Sequence, residues 1–409
     1  MSDHQPLPQG TELCSPADRL AAWPPLVQVA ECELLRRRMA AIARGEAVLL
    51  HIGEGAEPAA APTDGALSER LETLLQLATV VAYATALPVI RIGWMIGQGA
   101  GVHSVREMYD SSARTLNLIR ALTAGPSADR HRIHDRIHAF VAGSERGARH
   151  REQAAEIGRG LAFLRACGVD PDRLPSGEFF VGHESLLPDY ETVLTRCGGE
   201  ALCTYATSGH LMWLSEPAGG VDGRLVELFA RIRNPIAVGL GPTTEPDHVL
   251  GLLDRLDPHR EPGRLTFVLR AGAGRIRDLL PTLVEKVTAE GALVCWVSDP
   301  VRGNAGRAPD GRPTCRLDQV LDEVQAFVEV HQALGTHPGG VHLDVGGERE
   351  TGSATDGAGL PGGLLSREQS LDLAFTLAEV YRSRTRADGA PTRLRGGDLG
   401  IQPGRHSIQ

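Results

Sequence analysis

Lysine is all but missing from this chain: of 42 lysine and arginine residues among 409, only Lys286 is a lysine. A Schiff-base mechanism needs a lysine aimed into a site. Lys286 sits in the helical-looking segment VEKVTAEG, so that chemistry is excluded. The seven cysteines are odd in number, irregularly spaced and form no CxxC pair. That excludes a disulfide framework and a zinc ribbon and predicts reduced thiols. No apolar run approaches the ~20 residues that span a bilayer. The segment MSDHQPLPQG lacks the charged and apolar regions of a signal peptide, so a cytoplasmic location is expected. A formal net charge of −9 argues against nucleic acid or an anionic membrane as partner. No GxGxxG follows the first strand-like run, which counts against a dinucleotide fold. A small-molecule substrate is what remains.

Apolar residues make up 42% of the chain, enough for a sizeable core. Eight short apolar runs punctuate it: 47–53, 87–95, 178–184, 210–216, 235–241, 265–272, 293–300 and 340–347. Near-continuous apolar runs of this kind suit parallel strands buried on both faces. Amphipathic segments such as 221–232, 275–291, 317–335 and 366–384 separate them. Eight strand-then-helix units predict an α/β fold, a (β/α)8 TIM barrel. An N-terminal helical arm is expected over 28–45, and an elaborated, helical crossover over 96–177 between strands two and three. The expected layout is a flexible arm over 1–24, one barrel domain over 25–384 and a disordered tail over 385–409, rich in Gly and Pro.

In such a barrel the chemistry is sought at the strand C-termini. Those ends offer His51 and Glu54, then Trp94, then His183 and Glu184, then His210, Trp213 and Glu216. Further on stand Arg270, Asp299 with Arg302, and His342 with Asp344. Each has a plain alternative: Asp299 before Pro300 can cap a turn, His342 can be a core histidine and Trp213 can be packing. Charged side chains inside apolar strands are nonetheless rare unless paired or used. His51, Glu54, His183, Glu184, His342 and Asp344 include enough donors for a metal, though ligands on separate strands leave no spacing signature.

The segments ARGEAVLL, GHESLLPDYE, HLMWLSE, NPIAVGLGPT, LDPHREPGRLTFVLRAGAGRIRDLLP and QALGTHPGGVHLDVGGE resemble the class II 3-deoxy-D-arabino-heptulosonate 7-phosphate (DAHP) synthases. The resemblance runs from about residue 25 to about 384. It implies a metal-dependent barrel, usually a homodimer, that condenses phosphoenolpyruvate with erythrose 4-phosphate. It also implies departures. The family's metal-binding cysteine aligns with Gly55, its histidine ligand with Arg302, its glutamate ligand with Asp344 and its aspartate ligand with Gly362. Basic groups for phosphate align with Trp94, Gly239 and Pro217 and with the segment GVHS at 101–104. Glu184, Trp213, Glu216 and Arg270 match the family.

Glycine offers no donor and arginine is a permanent cation. Desolvating a multiply charged substrate with few cationic partners is costly. The sequence therefore predicts a repurposed, metal-independent enzyme of specialised natural-product metabolism that uses no cofactor. Glu184, Glu216, His51 and Asp344 would be its acid–base groups. Arg270, Trp213, Trp94, Arg302, Glu54 and His210, with His103 nearby, would bind a carboxylate-bearing or aromatic substrate. Two alternatives stand: a genuine DAHP synthase using Mn or Co, and a non-catalytic partner protein.

Overall fold

The computed structural model describes residues 23–53, 64–94, 105–124, 130–169, 178–198, 203–215, 220–307, 313–346 and 363–387. Eight strands form a closed barrel: β1 (Val48–Gly53), β2 (Val89–Trp94), β3 (Phe179–Glu184), β4 (Leu211–Leu214), β5 (Ile236–Leu240), β6 (Leu265–Leu269), β7 (Cys295–Ser298) and β8 (Gly340–Asp344). Each pairs in parallel with its neighbour in the chain, and β8 closes on β1. The fold is the (β/α)8 barrel that the eight apolar runs predict.

Side chains alternate across each strand. Leu49, Ile92, Phe180, Leu211, Val268 and Val297 fill the barrel interior. Leu50, Ile52, Val181 and Val238 belong to the outer core, which includes helical residues of α2 (Asp64–Thr85), α8 (Pro246–Leu256), α9 (Ile276–Ala289) and α10 (Leu317–Ala333). Both faces of the sheet are buried, which is why the strands read as unbroken apolar runs.

The N-terminal helix α1 (Val29–Ala43) is more than an arm. Its Leu35, Met39 and Ile42 are fully buried in the same cluster as the interior side chains. Each contributes roughly 1.5–3 kcal/mol by leaving water. Helix α1 thereby plugs the N-terminal end of the barrel. Gly45 ends it in a left-handed turn, its N–H and that of Glu46 donating back to Ile42 and Ala41, a C-cap that favours glycine. At Gly263 φ is +71° and an added Cβ would lie 2.3 Å from the Met39 carbonyl, so only glycine lets the chain pass under α1.

Between β2 and β3 run α3 (Val105–Ala124), α4 (Arg130–Gly143) and α5 (Arg151–Ala166), the elaborated crossover expected there. Helices α6 (Pro188–Val193) and α7 (Arg224–Phe229) flank β4 in the chain. The last helix, α11 (Arg367–Ala387), packs along α2. It continues three residues past the expected end of the domain. Its Asp372 is engaged by Arg146, Arg149 and His150, with His150 Nε2 at 2.8 Å, which ties the crossover to the barrel wall. The expected flexible arm, apart from Trp23 and Pro24, and the tail from 388 lie outside the described residues. Among the described residues no helix is long and apolar enough to cross a membrane.

Candidate active site

Inward positions on β1 and β8 lie side by side, with His51 opposite His342 and Gly53 opposite Asp344. The two histidines are buried, their Nδ1 atoms 3.0 Å apart. Both rings stand about 5 Å from Trp213 of β4, which lies across the barrel interior. Burial, and then the neighbouring His342, hold the His51 imidazole well below its ordinary range, so His51 is neutral at physiological pH.

Two ion pairs cap this layer. Arg270, directly after β6, donates from Nε to Asp299 Oδ2 at 2.9 Å and lies over the Trp213 ring at 5.7 Å. Its Nη2 has no hydrogen-bond partner among the described residues. Arg302 follows β7 on a one-turn helix, 300–303, that Asp299 caps through the Arg302 N–H. Its Nε donates to Asp344 Oδ2 at 2.8 Å and its Nη2 reaches Oδ1 at 3.4 Å. His342 Nε2 is 3.3 Å from the same Oδ1. Burial alone would raise the Asp344 pKa, but Arg302 and His342 outweigh it and hold the carboxyl far below the usual range. Burial likewise opposes the charge on Arg302, and Asp344 and Asp299 more than offset it. Glu184, half-buried at the end of β3 beside Trp213 in register, adds its negative charge to the field at Arg302.

A carboxyl outside the mouth braces these loops. Glu323 of α10 is fully buried and accepts from Asn304 Nδ2 at 2.6 Å. Burial, then the charge of Asp299, push it up to about 8. It sits beneath the turns that carry Arg270 and Arg302, and no sequence signal marks it.

The structure brings together His51, Trp213, Arg270, Arg302 and Asp344, with Glu184 at the rim. His210 is elsewhere. It precedes β4 at the barrel's N-terminal end, where Nδ1 accepts the Val181 N–H at 3.0 Å and Nε2 lies 3.7 Å from Glu31 of α1. It joins the floor plug to the sheet, which corrects its place among mouth residues. His183 points outward from β3 to Glu191 Oε1 at 2.7 Å, and Glu191 in turn takes the Ser208 hydroxyl at 2.5 Å. Glu54, His103 and Glu216 lie outside the described residues, as do Gly55, Pro217 and Gly362; Trp94 ends β2 with its side chain outside them. Asp299 caps its turn, as the plain alternative had it, and also anchors Arg270.

Asp299, His342 and Asp344 each offer a donor atom, all within 4.8 Å of one another. Two carboxylates and an imidazole suit a divalent cation. The space beside them is held open by Gly53, where an added Cβ would lie 2.5 Å from Asp344 Oδ1 and 2.9 Å from His342 Cε1. The donor set therefore fits a metal. Of its members only Asp344 stands at a ligand position that the resemblance implied.

A parallel (β/α)8 barrel with paired carboxylates, arginines and histidines at its strand C-termini has the architecture of a barrel enzyme. The family model described as the class-II DAHP synthetase family matches residues 2–107 and 100–378, and the chain belongs to that family. It is 42% identical over 414 residues to a phospho-2-dehydro-3-deoxyheptonate aldolase of Streptomyces coelicolor, covering 89% of this chain and 92% of that protein. It is 38% identical over 412 residues to the aldolase AroG of Mycolicibacterium smegmatis, covering 89% of each. A solved phospho-2-dehydro-3-deoxyheptonate aldolase from Francisella tularensis aligns with a TM-score of 0.47 at 12% identity, over 92% of this chain and 99% of that one.

These findings correct two expectations. Relatives this similar over nearly the whole chain carry the family's own activity in their names, which overturns the repurposed enzyme of natural-product metabolism. Membership in a metal-dependent family overturns the absence of a cofactor. Asp299 and His342 supply donors beside Asp344 that the replaced positions do not.

Proposed function

We propose that the chain is a DAHP synthase: it joins phosphoenolpyruvate to erythrose 4-phosphate and releases inorganic phosphate. The observation that carries this is the convergence of Arg270, Asp299, His342 and Asp344 at one mouth, on a chain 42% identical to a protein named for that product. In the reaction C3 of phosphoenolpyruvate forms a bond to the aldehyde carbon, water supplies the oxygen at C2, and the phosphate departs.

Arg270 is the anion anchor. Its Nε is fixed by Asp299, so Nη2 is presented without rotamer search and can bind a carboxylate or phosphate oxygen. Asp299, His342 and Asp344 would hold a divalent cation such as Mn or Co. When bound, that cation would polarise the aldehyde carbonyl. His51 Nδ1 lies 3.0 Å from His342 Nδ1; with a cation bound, a neutral His51 accepting there would leave the His342 Nε2 lone pair to the cation. Glu184 at the rim is the carboxylate placed to take or return a proton near the reacting carbons.

The test is direct. Purified protein given both substrates with Mn²⁺ or Co²⁺ releases phosphate stoichiometrically with the seven-carbon product. Phosphate release no faster than in a protein-free control, with either metal, would falsify this function.

A further inference from the structure

Both carboxylates of the metal-binding set are already engaged by cations of the protein itself. Asp299 has Oδ2 on Arg270 and Oδ1 on the Arg302 N–H. Asp344 has Oδ2 on Arg302 Nε and Oδ1 near Nη2. Two carboxylates thus face two guanidiniums. The two arginines are not equivalent. Arg270 leaves an Nη2 for a substrate, whereas Arg302 directs its fork at both oxygens of Asp344. A guanidinium so close to a metal ligand repels a divalent cation and uses the lone pairs that would bind it.

We propose that Arg302 is a latch on the metal position: it occupies Asp344 until an anionic substrate draws its guanidinium away, and only then does Asp344 become a full ligand. This rests on the proposed metal-dependent function. Arg302 stands on a one-turn helix at the mouth and its side chain is 19% exposed, so an entering phosphate or carboxylate can compete for it. Phosphoenolpyruvate carries both groups. This chain has Trp94, Gly239 and Pro217 where the resemblance implies cations, and a released Arg302 supplies a second cation beside Arg270. Metal and substrate then bind cooperatively through one side chain, and the coupling is reciprocal by thermodynamic necessity.

The measurement is Mn²⁺ binding, followed by the paramagnetic resonance of the free ion, with and without phosphoenolpyruvate and with no second substrate. For the wild type, saturating phosphoenolpyruvate tightens Mn²⁺ binding by about tenfold or more. Arg302→Met binds Mn²⁺ about tenfold tighter without phosphoenolpyruvate, and phosphoenolpyruvate adds little. Arg302→Lys, which keeps the charge but loses the fork, lies between and guards against a misfolded methionine variant. Wild-type Mn²⁺ affinity indifferent to phosphoenolpyruvate overturns the latch, as does coupling that survives undiminished in Arg302→Met. Those results leave the metal-dependent synthase intact. Absence of Mn²⁺ binding in every protein and condition overturns both.

Discussion

Arg302 and Asp344 reach each other from the ends of neighbouring strands β7 and β8, with Nε 2.8 Å from Oδ2 and a second guanidinium nitrogen 3.4 Å from Oδ1. The adjoining pair, Arg270 and Asp299, makes one contact of 2.9 Å and keeps a nitrogen in reserve. The difference between a closed fork and an open one separates their roles.

Arg270 is predicted to carry much of the substrate's binding energy. A hydrogen bond to a charged group is worth about 1.5–3 kcal/mol, so Arg270→Ala weakens phosphoenolpyruvate binding by about 10- to 150-fold. Arg270→Lys falls between, because lysine keeps the charge without the fork. Calorimetric titration with phosphoenolpyruvate measures both, and an alanine variant of wild-type affinity removes Arg270 from the anchor role.

His51 is predicted to act through His342. His51→Phe keeps a ring beside Trp213 and His342 but removes the nitrogen paired with His342 Nδ1. Losses of about 10- to 100-fold in metal affinity are typical when such a partner is removed. Mn²⁺ titration of the variant reads this, with thermal melting as a check on folding. Unchanged Mn²⁺ affinity refutes the tautomer argument.

Gly53 is predicted to accept no side chain without injury to the site. Alanine there meets Asp344 Oδ1 at 2.5 Å and His342 Cε1 at 2.9 Å, so both donors must shift. The outcome is at least a tenfold loss of Mn²⁺ affinity and of phosphate release, about the size expected when ligand geometry is disturbed, with a wild-type circular dichroism spectrum. Full metal binding by Gly53→Ala contradicts the placement of the cation beside Gly53.

Glu323 is predicted to give stability a pH slope. Its pKa is 4.5 as a reference value and about 8 in the folded chain. The folded state therefore holds the proton more tightly. The resulting stabilisation is complete below about pH 4.5 and is lost as pH rises toward and through 8. Its size is on the order of a few kcal/mol. Urea unfolding between pH 5 and 8 shows the wild type weakening, and Glu323→Gln with a flatter profile. Identical slopes in both proteins reject the assignment.

The barrel was legible because burial on both faces of a parallel sheet removes polar alternation, leaving eight runs to count. The site was legible in part. Strand alternation places His51, Trp213, Arg270 and Asp344 inward: His51 and Arg270 lie against Trp213, and Asp344 stands next to His342. His210 was misplaced because a residue one step before a strand belongs to the opposite end of the barrel, and an apolar run does not mark where pairing begins. Asp299 looked like a cap because its second partner, Arg270, comes from another strand and no spacing joins them. The plug formed by α1 was hidden for a related reason: an amphipathic stripe records that a face is buried, not what buries it.

That plug sets an order on biosynthesis. Helix α1 leaves the ribosome about 220 residues before Gly263, against which its Met39 backbone lies, and before Cys295, whose thiol donates to the Met39 carbonyl at 3.3 Å. This early helix has its seat completed by the turn before β6 and by β7, so the nascent chain carries Leu35, Met39 and Ile42 uncovered until most of the barrel has emerged.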